Sequence, residues 1–187
     1  MYVIVLLGII GLVILIAVSI YNGLIRKRVE CDNAWSQITV QLKRRHDLIP
    51  NLVETVKGYA SHERETLERV IQARNSAVTA GGSVGSQAQA ENVLTGALRQ
   101  IFALSESYPD LKANQNFLQI QEEIASTENR ISFARQHYND SVGVYNTGIQ
   151  QIPANIIAGM GGFKAKEFFE ADASEAQAIK QTPQVRF

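Results

Sequence analysis

Three histidines, one cysteine and a small cluster of glycines are the residues in this chain best suited to chemistry, and their spacing denies them most of it. A zinc site on a helix needs two histidines one turn apart, but His46, His62 and His137 are widely separated, and His62-Glu63 lacks the second histidine of a zincin motif. Gly81, Gly82 and Gly85 neither follow a strand pattern nor precede a Lys-Ser/Thr pair, so they do not form a phosphate loop. Cys31 has no histidine partner in view and no lipobox before it; a structural or lipid-modified thiol fits it better than a nucleophile. As the single cysteine it allows no intrachain disulfide, which agrees with a reducing compartment. The expectation is a protein that is not an enzyme, with no catalytic residue, no metal and no cofactor.

One charged residue stands out by position. From Trp35 onward, apolar residues fall at Trp35, Ile38, Leu42, Ile49, Leu52, Val56 and Tyr59, in steps of three and four with one gap, and Arg45 sits in the gap. Two readings are open. Pro50 removes a backbone donor and should kink this helix, or end one turn and begin another, which would shift the register and leave Arg45 solvated. Alternatively Arg45 is buried and paired, with Asp47, Glu122, Glu123 and Glu128 as carboxylate partners, and fixes helix register more than it stabilises the fold. Arg44, beside it, is the solvated reference.

The element that places everything else is the apolar run from Val3 to Ile20. With Tyr21 and Asn22 it spans roughly 30 Å as a helix, the thickness of a hydrocarbon core. A cleaved signal peptide, with Ala17-Val18-Ser19 as a loose cleavage site, fits poorly because the run is long and no basic region precedes it. The basic residues Arg26, Lys27 and Arg28 lie on the other flank, which predicts an outside N-terminus and a cytoplasmic remainder. Residues 1–22 are therefore expected to span the membrane.

The remainder, roughly 165 residues, is enough for one domain with its own core. It carries 18 basic and 18 acidic residues along the whole chain, so no field of one sign points to nucleic acid. Proline is scarce, no stretch alternates with period two, and helix-forming residues dominate. A weak point at Gly58 to Glu63 precedes a shorter helix with Leu67, Val70, Ile71, Arg74 and Ala77 on one face, followed by a flexible loop over 81–86. Another helix carries Val93, Leu94, Ala97, Leu98, Ile101 and Leu104, and ends near Tyr108-Pro109. Pro109 then suits the first turn of the longest helix, expected over 110–147 and roughly 57 Å long. The predicted fold class is all-α: one N-terminal transmembrane helix, then an elongated antiparallel bundle of about four helices with coiled-coil-like seams over 23–170, and a disordered tail over 171–187.

The string from Leu42 to Leu52, with Val56-Lys57-Gly58-Tyr59-Ala60, His62-Glu63 and Ala73-Arg74, resembles the bacterial LemA family. Leu118 to Ile131, Ala134-Arg135, Tyr138-Asn139 and Pro153 to Phe169 are similar to it as well, so the resemblance covers nearly the whole chain. It implies a bacterial inner-membrane protein with one N-terminal span and a helical cytoplasmic domain, and little about chemistry. Relatives in the family include a magnetosome membrane protein, and some members are encoded beside a membrane zinc protease. The expected function is a membrane-anchored scaffold acting by self-assembly or partner binding; the alternative is an adaptor or modulator of a membrane protease or signalling protein. The expected partners are the lipid bilayer, further copies of the chain and other inner-membrane proteins, without nucleic acid.

Two C-terminal stretches complete the reading. Ile152 to Phe169 is unusually apolar for a connector, and either caps the bundle or returns to the membrane surface, where Phe163, Phe168 and Phe169 would insert and Lys164 and Lys166 would meet anionic lipid. The second outcome needs a true turn near residue 60. At the end, Val185 and Phe187 flank Arg186 in the pattern that strand-adding domains read together with a free carboxylate.

Overall fold

The structure is a computed structural model, and it describes residues 1–170; Val185 and Phe187 lie outside them. Among the described residues there are six helices: α1 (Tyr2–Lys57), α2 (Arg64–Thr79), α3 (Val84–Ser105), α4 (Pro109–Lys112), α5 (Gln115–Gly148) and α6 (Ala154–Met160). The periodicity predicts about four helices after the apolar run; the structure instead joins that run and the first of them in α1 and adds two short helices, α4 and α6.

Pro50 does not break α1, which continues to Lys57. Its pyrrolidine is exposed, while Ile49, Leu52 and Val53 around it are buried. Burial of those side chains, each worth about 1.5–3 kcal/mol, outweighs the roughly 3 kcal/mol cost of an interior proline. The chain instead turns after Gly58, where the Tyr59 and Ala60 amides both donate to the Val56 carbonyl. Between α2 and α3, Gly82 holds φ at +121°, a conformation few residues other than glycine adopt. Ser83 then caps α3, its side chain accepting from the Ser86 amide while the Ser86 side chain accepts from the Ser83 amide. That reciprocal cap corrects the flexible loop expected over 81–86, since α3 already begins at Val84. Pro109 opens the single-turn α4 and not the long helix. The Asn114 side chain accepts from the Phe117 amide at 3.0 Å and starts α5 there, several residues later than expected.

The chain divides into two compact units. Among the described residues, one comprises Met1–Ile38 and Ala134–Glu167, the other Thr39–Phe133 together with residues 168–170.

In the first unit α1 and α5 run antiparallel. The Trp35 ring lies 5.5 Å from that of Tyr138, His137 Nε2 lies 3.4 Å from Glu30, and Gly148 faces Lys27 so closely that a Cβ there would sit 2.7 Å from Nζ. Along α1, the most apolar 18-residue window is not buried against any part of the protein. A helix that apolar and that bare in water is unfavourable, so this stretch has the length and surface of a membrane span.

The second unit has a continuous apolar core. Ile49, Leu52 and Val56 of α1, Val70 of α2, Leu94 and Ile101 of α3, and Phe117 and Ile124 of α5 are its centre. These are the positions of the three-four stripes, and their burial supplies most of the driving force for the unit.

Candidate functional site

The core of the second unit is interrupted by one polar cluster built on the gap in the α1 stripe. Arg45 is only 1% exposed. Its guanidinium donates through Nη1 to Thr95 Oγ1 at 3.0 Å and to Glu128, and through Nη2 to Glu91. The other Glu91 oxygen accepts from His46 Nε2 at 2.9 Å and from the Gln87 amide at 2.7 Å. Gln87 also donates to the Ala77 carbonyl, and Arg74 Nε donates to the His46 carbonyl. Side chains from α1, α2, α3 and α5 are thereby tied at one level.

The electrostatics favour a fixed ion cluster over a proton shuttle. Burial alone would push the Glu91 carboxyl up, but the His46 hydrogen bond and the Arg45 guanidinium outweigh it and hold the group below the usual carboxylate range. A carboxylate held ionised, with both oxygens occupied, makes a poor general acid or base. Two buried atoms one turn apart, Arg45 Nε and Gln41 Oε1, have no partner.

Glu128 is one of the four carboxylates the sequence offers Arg45. Asp47 instead pairs with exposed Lys43 at 2.6 Å, a hydrogen bond that lowers its pKa. The main partner, Glu91, escaped the sequence reading although a signal was present. It lies three residues before Leu94 and seven before Leu98, so it occupies the buried face of α3 just as Arg45 occupies that of α1.

The first unit holds its seam differently. After α6 the chain turns at Gly161 and Gly162 and runs as a non-helical strap over 163–167. Tyr145 Oη donates to the Lys164 carbonyl and Tyr138 Oη to the Glu167 carbonyl, each at 2.9 Å. Asn146 reads the Lys166 backbone twice, donating to its carbonyl and accepting from its amide at 2.9 Å. Lys166 Nζ reaches Asp32 at 2.7 Å. Burial raises both phenols, that of Tyr138 to about 12.

The remaining sequence-derived positions are spread over the surface and the core. Arg26, Arg28 and Arg44 are exposed, and Lys27 is half-buried beside Gly148. Phe163 is buried, Lys164 is exposed and Phe168 is half-exposed. Phe169, at 1% exposed, has no ring to offer a lipid surface, which removes it from the set expected to insert. Cys31 is fully buried and its thiol is pushed up by burial, so it presents no surface to a lipid-transfer enzyme. His62 is exposed, and Glu63 beside it accepts from Tyr108 Oη. Among the described residues no three His, Cys, Asp or Glu side chains come together as metal ligands.

Comparison with known proteins adds a name to this architecture. The family model described as LemA family matches residues 34–187. The chain is 32% identical to Protein LemA of Metamycoplasma hominis, over 80% of this chain and 68% of that protein. It is 25% identical to Magnetosome protein MamQ of Magnetospirillum gryphiswaldense and 26% identical to Magnetosome protein MamQ 2 of Paramagnetospirillum magneticum, in each case over 88% of this chain and 70% of the relative. The string from Leu42 to Leu52 that contains the buried arginine, α5 and the strap all fall within the matched residues, and the chain belongs to the LemA family.

Proposed function

We propose that this protein is a single-span protein of the bacterial inner membrane, with its N-terminus outside, whose remaining helices work in the cytoplasm as a scaffold by binding further copies of the chain. The observation that carries the reading is a mismatch inside the second unit. Its charged cluster is turned inward and occupied by protein, while large apolar side chains face out. Phe133 on α5 is 73% exposed and Val40 on α1 is 63% exposed. The antiparallel pairing that sets Arg45 opposite Glu128 puts Val40, five residues before Arg45, and Phe133, five residues after Glu128, at one level. Exposed aromatic and β-branched residues on a well-packed helical surface suit association more than catalysis. Relatives named as magnetosome proteins support a role at a membrane-bounded structure.

The test is purification of the full chain in mild detergent with mass measured by light scattering. A large homogeneous assembly that dissociates on Phe133→Ser, with helicity unchanged, is the expected result. A monomer holding one stoichiometric membrane protein would overturn the scaffold and leave the adaptor.

A further inference from the structure

We infer that the α6 region is a second membrane contact: Ile152, Ile156 and Met160 dip into the lipid–water interface of the bilayer that holds α1. This rests on reading the apolar part of α1 as a span. The three side chains are among the most exposed large apolar groups outside that span, at 84%, 60% and 83%. They recur every four residues, which puts Ile156 and Met160 on one face of α6 with Ile152 a turn ahead. The opposite side of the segment faces the protein, with Ala158 buried and Ile157 half-buried. Such a two-faced segment in water would be an ordinary surface defect; its place on the molecule gives it an occupant.

Both ends of the segment are tied to the flank of the span. At one end Gly148 abuts Lys27. At the other, the Phe163 ring packs edge-on against Tyr21 at 5.4 Å and lies under the Arg28 guanidinium at 5.3 Å. Residues 21 and 28 are about 10 Å apart along the helix, straddling the point where the apolar run gives way to Arg26, Lys27 and Arg28. The turn that brings Phe163 back is tight. A Cβ at Gly161 would lie 2.6 Å from the Phe163 ring, and Gly162 holds φ at +68°. Residues 149–162 are therefore held at the depth where tyrosine and basic side chains meet lipid headgroups. Exposed Lys164 and Arg26 add cations at the same depth. Phe163, buried as the hinge pin of this turn, positions the contact and does not make it.

The test uses the full chain reconstituted in vesicles of phosphatidylethanolamine and phosphatidylglycerol, with single substitutions Met160→Cys, Ile10→Cys and Gln136→Cys carrying an environment-sensitive fluorophore. Cys31 is fully buried and stays in place, and the unsubstituted chain, labelled in parallel, is the blank. The Met160→Cys probe should be quenched by a shallow lipid nitroxide at least about twofold more than the Gln136→Cys probe, and protected from iodide to a similar degree. Iodide quenching equal to that at Gln136→Cys overturns the inference, as does shielding from both quenchers, which would mean a second protein copy covers the face. Ile10→Cys separates the two levels. If a deep nitroxide quenches it while Met160→Cys stays wet, only the second contact falls; if it escapes the deep nitroxide, the span falls as well.

Discussion

The two units of this molecule hold helices in register by opposite means. Around Arg45 the second unit uses charge, with a guanidinium, the Glu91 carboxylate and an imidazole inside an apolar core and the Glu128 carboxylate at its edge, partly in solvent. The first unit relies chiefly on neutral groups, two phenols and a carboxamide aimed at the peptide backbone of the strap, and its one strap ion pair, Lys166 with Asp32, is partly solvent-exposed. A buried ion cluster is demanding, because removing one member strands the others without water, whereas a neutral hydrogen bond costs little more than itself when lost. The contrast predicts that the second unit fails abruptly and in acid, and the first locally and in base.

The largest effect is expected at Arg45. Arg45→Met leaves Glu91 ionised in the core with only His46 and Gln87, and should cost about 3–5 kcal/mol in urea denaturation. Pairing it with Glu91→Leu should recover much of that loss, because both sides of the ion pair are then apolar. Arg45→Lys cannot reach Glu91, Glu128 and Thr95 together and should lower the melting temperature well below that of Arg44→Lys, whose side chain is in solvent. Equal melting temperatures for the two lysine variants would mean the cluster does not fix register.

Next in size is the acid limb. The Glu91 carboxyl is held below its ordinary value, so its contribution is fully present above the unfolded pKa of about 4.3 and is lost as pH falls through the folded value. Stability measured from pH 7 to pH 2 should decline at the acid end by about 1.5–3 kcal/mol more in the native chain than in Glu91→Gln, the worth of hydrogen bonding to a charged group. Parallel curves for the two would place the acid sensitivity elsewhere.

How far these locks were legible follows from what each one touches. Arg45 announced itself as a charge in an apolar stripe, because periodicity is a property of one helix. Its partner did not, since choosing Glu91 over Asp47 or Glu122 requires the register between α1 and α3, which no local pattern carries. The strap was less legible still. Tyr138 and Tyr145 stand seven residues apart on one face of α5, as core residues would, and the groups they bind are carbonyls that every residue possesses. The apolar start of α1 was plain because composition alone sets it. The short α4 and α6 were missed because they have too few turns to show a period, and their bounds depend on single residues such as Pro109, which opens α4, and Gly161, which follows α6.

In the first unit the carboxamide is the more sensitive element. Asn146→Leu removes both hydrogen bonds to Lys166 and leaves its amide and carbonyl short of partners, at a cost of about 1–3 kcal/mol. Hydrogen exchange should speed up at 164–167 while amides around Leu94 and Ile101 keep their protection. Uniform loss of protection in both units would break the comparison, since it would make the strap part of one global lock.

The smallest effect belongs to Tyr138, and its sign is opposite to that of Glu91. Burial raises this phenol to about 12, so the folded chain keeps a proton that the unfolded chain releases near pH 10. Its contribution is complete below about pH 10 and is lost as pH rises toward the folded value, because ionisation destroys the donor that holds the Glu167 carbonyl. Tyr138→Phe should therefore cost only about 0.5–1.5 kcal/mol at pH 7, the net worth of one neutral hydrogen bond. Between pH 10 and 12 the gap to the native chain should close, with exchange at the strap compared in both. A gap that persists unchanged to pH 12 would show that the hydroxyl does not hold the strap, and that ring packing against Trp35 is what Tyr138 supplies.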